Sequence, residues 1–435
     1  MYIISRRAAV LGLAASAAYR PVMAEPAPGC AMPDDGDGPV FSPSGPNAGR
    51  WGSAEGFPVV DPALGGQPGE PHDLKYQVGI YSHFDEAYPT RRVGHAAAPW
   101  CFKYARSDIS YSYKGVRYSA DDYLSRNAAT GLLIAKDDTI LLERYQYGRT
   151  DGDRLFSGSM VKSIVGLLIG IAISDGAIKS VDDTAQTYVP GFGGTEYGKT
   201  PIRDLLHMSS GVEFGETADN QRDLDRLWID MVQRHVLFQR GTVDSIVRFN
   251  HRIAPPGTRF YYASIEPDVL GVVLRYATGK SLSDYLHEKI WSAIGTEADA
   301  AWLLDAQGFE VAHTFFGAAL RDYARLGRLL AHDGARDGNQ IIPAQWMIEA
   351  TTARESDAPP LPGKASPSAF GYGYLLWLLP GNRRQFALLG GNGQSIFVDP
   401  PSKLVMVQTG VDPAMDKRGE AVQLFAASVA QFGGR

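Results

Sequence analysis

The chain has little cysteine and little net charge. It holds 2 cysteines among 435 residues, Cys30 and Cys101, so a disulfide-dense scaffold is excluded. In an oxidising compartment the two could pair. Equally, Cys30 follows a candidate cleavage site, where a lipid-attachment cysteine would stand, but the preceding Ala27-Pro28-Gly29 match that signal poorly. Net charge is −6 and no long basic run occurs, so the electrostatic footprint of a nucleic-acid binder is missing. No apolar run reaches the about 18 residues that a permanent membrane span needs. The 9 histidines form no evident ligand cluster, and His287-Glu288 has no second histidine at metalloprotease spacing. A Gly-x-Ser-x-Gly nucleophile elbow is absent. So is any glycine loop for a nucleotide where a strand meets a helix, and no internal repeat is visible.

What remains is the composition of a soluble globular protein, 44% hydrophobic and 21% charged, long enough for two or three domains. At the N-terminus, Ser5-Arg6-Arg7 precede the apolar run Ala8 to Ala15, and Val22-Met23-Ala24 offer small residues for cleavage. Residues 1–24 therefore read as a signal peptide of twin-arginine type, which predicts a periplasmic or secreted protein.

Residues 25–110 form a lead-in whose first part, to about residue 75, is rich in proline, glycine and aspartate. Strand-like runs follow at Gly131–Ala135 and Thr139–Tyr145, split by the turn Lys136-Asp137-Asp138. Helical periodicity marks Arg222–Trp228 and Ala318–Leu330. Strand signals return at Tyr372–Leu379, Gln385–Leu389, Ser395–Val398 and Leu404–Gln408, before a closing helix near 417–431. Strands at both ends with helices between them suggest one sheet assembled from distant segments. The expected fold is α+β: an antiparallel sheet flanked by helices, built from 111–182 and 351–435, with a mostly helical domain over 183–350.

Ser159-Met160-Val161-Lys162 carries the chemistry. A lysine three residues after a serine shares its helical face. The residues that follow, Ser163 to Ile173, are nearly all apolar, so this helix should run through a core. Burial favours the neutral form of an amine, and a neutral amine beside a hydroxyl is a base for it. The pattern reads as an activated serine, against the plainer reading of an N-cap serine with a first-turn lysine reaching solvent. Two further elements fit. A tyrosine of Tyr261-Tyr262, on the loop before a helical run that starts near Val269, could relay a proton to a leaving group. Gly390-Gly391-Asn392-Gly393-Gln394, at the start of a strand, lets a substrate approach the backbone and offers an N–H to an oxyanion.

These elements occur in the order of a known family. The chain resembles the serine β-lactamase and penicillin-binding superfamily, in the style of class C β-lactamases, family VIII esterases and 6-aminohexanoate-dimer hydrolases. Ser159 and Lys162 match its Ser-x-x-Lys, and Tyr262-Ala263-Ser264 its Tyr-x-Asn or Tyr-x-Ser. Ile202 to Gly211 and the stretch from Val181-Asp182-Asp183 to Tyr188-Val189-Pro190 look like its framework segments. The resemblance implies a site in a cleft between the two domains, with Ser159, Lys162 and Tyr262 catalytic. It implies Ser264, Gly391, Asn392, Gly393 and Gln394 at the substrate and oxyanion, Ser159 and Gln394 giving the N–H groups. It also implies no metal or organic cofactor and a small-molecule substrate.

Two positions depart from the pattern. Ser264 stands where the lactamases usually have asparagine, and Gly391-Asn392-Gly393 replaces Lys-Thr-Gly, whose lysine and threonine help bind a drug carboxylate. The departures favour small amides or esters. A class C-like β-lactamase or D-amino-acid peptidase, and a non-catalytic binding protein on the same fold, are the alternatives. Substrate and oligomeric state are not readable from the sequence.

Overall fold

The computed structural model describes residues 30, 32–33, 36–52, 74–216, 220, 222–233, 241–352 and 371–433. The expected signal peptide lies outside them. Cys30 and Cys101 form a disulfide that closes a separation of 71 residues. Among the described residues no helix is long and apolar enough to cross a membrane.

The fold is α+β. In chain order the elements used below are β1 (Val40–Phe41), α1 (Gln77–Ala87), β2 (Thr90–Val93), β3 (Lys103–Tyr104), β4 (Ala129–Lys136), β5 (Thr139–Tyr145) and β6 (Leu155–Phe156). Then follow α2 (Met160–Ser174), α3 (Arg222–Trp228), α4 (Ile265–Thr278), β7 (Ala300–Leu303), β8 (Phe316–Ala318) and α5 (Leu320–Ala331). Last come β9 (Gly371–Tyr372), β10 (Trp377–Leu378), β11 (Phe386–Leu389), β12 (Ser395–Asp399), β13 (Leu404–Gly410) and α6 (Gly419–Phe432).

A nine-stranded sheet runs β1-β5-β4-β13-β12-β11-β10-β9, with β3 also paired to β5. β1 and β3 lie parallel to β5, and the other pairs are antiparallel. The sequence pattern explains how distant segments meet. Ile134 of β4 faces Leu142 on one side and Met406 on the other, so β13 closes onto the early hairpin. The strands are apolar on both faces because both are covered. Leu133, Val405 and Ile396 join the core that holds α2, α4 and α5. Leu132, Met406 and Phe397 pack under Leu424 and Phe425 of α6. A second, four-stranded sheet runs β2-β7-β8-β6, and α1 packs across β6 and β7.

α2 is buried on nearly every side, as its composition predicts. A Cβ on Gly170 would lie 2.5 Å from the Trp346 ring, so only glycine lets that indole close on the helix.

One expected element is different. Tyr372–Leu379 is not a continuous strand: it is β9 and β10 joined by a turn closed by Gly373 N–H on the Leu376 carbonyl at 2.8 Å. Leu375 sits in the left-handed region at φ 56°. Its N–H donates to Leu206 O at 2.9 Å and its carbonyl accepts from Ser163 Oγ at 2.6 Å. Tertiary partners capture the backbone that a strand would use.

Candidate active site

Ser159 stands at the N-cap of α2, straight after β6 and the turn Ser157-Gly158. That turn is fixed from both ends. Ser157 N–H donates to Phe316 O of β8 at 2.8 Å, and Gly158 takes φ 51°. One helical turn on, Lys162 Nζ lies 2.7 Å from Ser159 Oγ, within one hydrogen bond. Nζ also donates to the His313 carbonyl oxygen at 2.7 Å, and the side chain is 2% exposed. A buried lysine needs such partners, because leaving it unpaired is costly.

The carbonyl that Lys162 uses is itself held. Asp268, buried on α4, accepts from Ala312 N–H at 2.9 Å and shares a 2.7 Å hydrogen bond with His313 Nδ1. Both oxygens of one carboxylate thus pin the segment that presents His313 O.

Tyr262 lies over the pair. Lys162 Nζ is 5.3 Å from the centre of the Tyr262 ring, inside cation–π range. The ring stacks on Trp377 of β10 at 5.7 Å and meets Tyr372 edge-on at 6.4 Å, so the sheet sets its plane. Ser264 caps α4 beside it and turns its hydroxyl to Glu216 Oε1 at 2.5 Å, while Ser264 N–H donates to Glu216 Oε2. Burial raises the Glu216 carboxyl above its ordinary value, opposed by the Lys162 charge and by the two Ser264 hydrogen bonds. The site therefore contains a second acidic group, which no motif pointed to.

The glycine-rich segment closes the other side. Gly391–Gly393 forms one tight turn before β12, with Asn392 at φ 61°. Gly390 lies against Ser159: a Cβ there would come within 2.3 Å of Ser157 O and 2.8 Å of Ser159 N. Only glycine leaves space in front of the Ser159 N–H. Asn392 Nδ2 donates to the Tyr81 hydroxyl at 2.5 Å, and Gly393 N–H to Asp416 Oδ1 at 3.0 Å. Gln394 is fully buried. Its Nε2 donates to Gly410 O at 2.6 Å and its Oε1 accepts from Gly410 N–H at 3.0 Å, so its side chain braces β13.

A cation does reach this turn, from another segment. Arg418 donates through Nη2 to Gly390 O and pairs with Asp416 at 3.4 Å. Burial lowers the Arg418 guanidinium from its usual value, against the opposing charge of Asp416 and the proximity of the Tyr262 phenol.

The structure thus brings Ser159, Lys162, Tyr262, Ser264 and the Gly391–Gln394 turn to one place. Sequence reasoning missed Glu216, Asp268, His313, Arg418 and Tyr81. None belongs to a motif; Asp268 stands four residues after Ser264, and Glu216 five after Gly211. The signal that could have been found is Glu216 itself, an acid close after the Ile202–Gly211 framework segment.

The β-lactamase family model matches residues 120–424. The 6-aminohexanoate-dimer hydrolase of Paenarthrobacter ureafaciens is 25% identical over 301 residues, 68% of this chain and 76% of that protein. A solved structure of a Bacillus anthracis protein assigned as a 6-aminohexanoate-dimer hydrolase superposes with a TM-score of 0.74 at 22% identity, over 89% of this chain and 98% of that one. A family VIII carboxylesterase structure gives a TM-score of 0.52 at 18% identity, over 70% and 93% of the two chains. With its matched length covering well over half the sequence, this chain belongs to the β-lactamase family of hydrolases.

Proposed function

We propose that the protein is a serine hydrolase that cleaves small amides or esters through an acyl-enzyme. The 2.7 Å contact between Lys162 Nζ and Ser159 Oγ carries this reading. Ser159 Oγ attacks the substrate carbonyl carbon and its proton passes to Lys162 Nζ, which enters the step as the neutral amine. The carbonyl oxygen becomes an oxyanion in front of the Ser159 N–H, in the space that Gly390 keeps open, with a second N–H from the Gly391–Gln394 turn. Tyr262 passes the proton from Lys162 to the leaving amine or alcohol as the C–N or C–O bond breaks. Water then attacks the Ser159 ester. Its proton returns through Tyr262 and Lys162 to Ser159 Oγ, and a carboxylic acid leaves. Ser264, held by Glu216, orients the substrate beside Lys162.

Simple amides and esters are favoured over β-lactams by the third motif. Where a lysine and threonine would meet a drug carboxylate, Gly391 has no side chain and the Asn392 amide is spent on Tyr81. The 6-aminohexanoate-dimer hydrolase relative supports the same choice. The test is a panel of p-nitrophenyl esters, p-nitroanilides and a chromogenic cephalosporin with the wild type and Ser159→Ala. Ester or anilide turnover that vanishes in Ser159→Ala supports the reading. Turnover that persists in Ser159→Ala overturns it, and turnover of the cephalosporin alone moves the protein to the lactamase reading.

A further inference from the structure

The structure holds a cavity of about 200 Å³ whose walls are continuous in sequence with the candidate site. Its lining includes Phe214, Gly215, Asp223, Ile253, Arg259 and Tyr261. Tyr261 precedes Tyr262, whose ring lies over Lys162, and Gly215 precedes Glu216, which holds Ser264. Backbone pairing fixes these walls. Glu213 N–H donates to His251 O at 2.8 Å, Ile253 N–H to Gly211 O at 2.8 Å, and Tyr261 N–H to Met208 O at 2.7 Å. Gly211 takes φ 74°, and a Cβ there would lie 2.0 Å from Ala254 O, so only glycine lets these two segments close.

The charges around the cavity are matched, with one exception. Asp223 Oδ2 accepts from Gly215 N–H at 2.7 Å, and Glu213 pairs with His251 at 2.9 Å. Arg222 Nε, at the start of α3, donates to Asn220 Oδ1 at 3.1 Å. Arg252, bridged to Val212, spends its guanidinium on Glu196, Ser210 O and Thr200. Arg259 has no hydrogen bond or ion pair among the described residues, and its Nε is buried without an acceptor. Its guanidinium carbon stands 5.6 Å from the centre of the Tyr261 ring, within cation–π range. A half-buried guanidinium whose N–H groups meet no acceptor is costly, and a bound anion removes that cost.

The rest of the lining bounds the ligand. Phe214, Ile253 and Tyr261 supply apolar surface, and Ile253 is 52% exposed, so the cavity is reached from solvent there. At about 30 Å³ per water, the volume suits a ligand of about six or seven heavy atoms. We propose that this cavity binds a short unbranched carboxylate, its oxygens on the Arg259 guanidinium and its methylenes against Ile253 and Tyr261. The planar fork of an arginine matches a carboxylate, and methylenes gain by leaving water. Two sources supply such an anion: a carboxylate at the far end of a substrate, and a free acid such as hydrolysis releases. The site goes beyond the serine-hydrolase reading and does not depend on it.

The experiment titrates the folded wild type with butanoate, 1-butanol and butylammonium, and reads Kd from the rise in melting temperature. The same titrations are made on Arg259→Gln and Ile253→Trp. The second fills the cavity from a half-exposed position and serves if Arg259→Gln does not fold. Butanoate should bind the wild type at least about 10-fold more tightly than either analogue, and each folded variant should weaken it by about 10-fold or more. Ser159→Ala should bind butanoate as the wild type does. Hydrolysis of p-nitrophenyl acetate then separates the sources: butanoate that raises KM alone marks the far end of a substrate, and butanoate that binds without competing marks a free acid. No preference for butanoate over 1-butanol, or an unchanged Kd in the folded variants, overturns the site and leaves the serine-hydrolase reading untouched. Ester turnover absent from wild type that still binds butanoate through Arg259 overturns that reading and upholds the site.

Discussion

Asp268 and His313 are separated by 45 residues and share a 2.7 Å hydrogen bond whose effect is felt at Lys162. The Asp268 carboxylate fixes the imidazole and the Ala312 N–H, and the His313 carbonyl between them receives Lys162 Nζ. A lysine on the first turn of a helix has many rotamers, and this anchor selects the one that reaches Ser159.

Asp268→Ala should therefore weaken both stability and turnover. It leaves a ring nitrogen and a backbone N–H buried without acceptors, at about 1–3 kcal/mol each. Thermal melts should show the loss of stability. At a temperature where the variant is still folded, kcat should fall by about 10-fold or more, because the base is no longer held in place. A variant that loses stability but keeps wild-type kcat would show that the pair only supports the fold.

Arg418 makes a different claim. Its guanidinium donates to Gly390 O, and Gly390 lies against Ser159 N, so the side chain sets the position of the glycine-rich turn. Hydrogen bonds to charged groups are worth about 1.5–3 kcal/mol. Arg418→Met should lower kcat/KM by about 10–100-fold. Arg418→Lys should restore part of it, since a lysine supplies the charge but not the planar fork. Equal activity in all three proteins would remove Arg418 from the site.

Glu266 predicts a pH dependence of stability. It is buried on α4, accepts from Ser210 Oγ at 2.6 Å, and has no hydrogen-bond partner on Oε2 among the described residues. Burial, aided by the charge of Asp204 and opposed by the Ser210 hydrogen bonds and Arg252, raises its pKa to about 8. In the unfolded chain it titrates near 4.5. Between these values the folded state binds the extra proton, so this group makes stability fall as pH rises from about 4.5 to about 8. Glu266→Gln removes that slope. Its melting temperature should exceed that of the wild type above pH 8, by the equivalent of about 3–5 kcal/mol, and the gap should close near pH 5. A gap that is constant across this range would contradict the assignment.

The sequence showed the parts of the site that are local. Ser159 and Lys162 are legible because one helical turn brings them together whatever surrounds them, and Tyr262 because the family spacing to Gly271 selects it over Tyr261. The hairpin Ala129–Tyr145 and the apolar strands of the sheet are legible from their continuous apolar runs and the polar turns between them. What was not legible depends on packing between distant segments. Glu216 meets Ser264 across 48 residues, and Tyr81 meets Asn392 across 311. The pairing of the buried Gln394 side-chain amide with Gly410 is set by the register of β12 and β13, which no local pattern states. Tyr372–Leu379 reads as one strand because nothing in it says that Leu206 and Ser163 will take the backbone of Leu375.

The central claim is that Ser159 is a nucleophile activated by Lys162. The most direct measurement is the intact mass of folded protein after exposure to a fluorophosphonate, with the adduct mapped by peptide. The account predicts one adduct, on Ser159, absent in Ser159→Ala and formed at least about 100-fold more slowly in Lys162→Ala. No adduct in folded wild type, or an adduct on another residue, would contradict it.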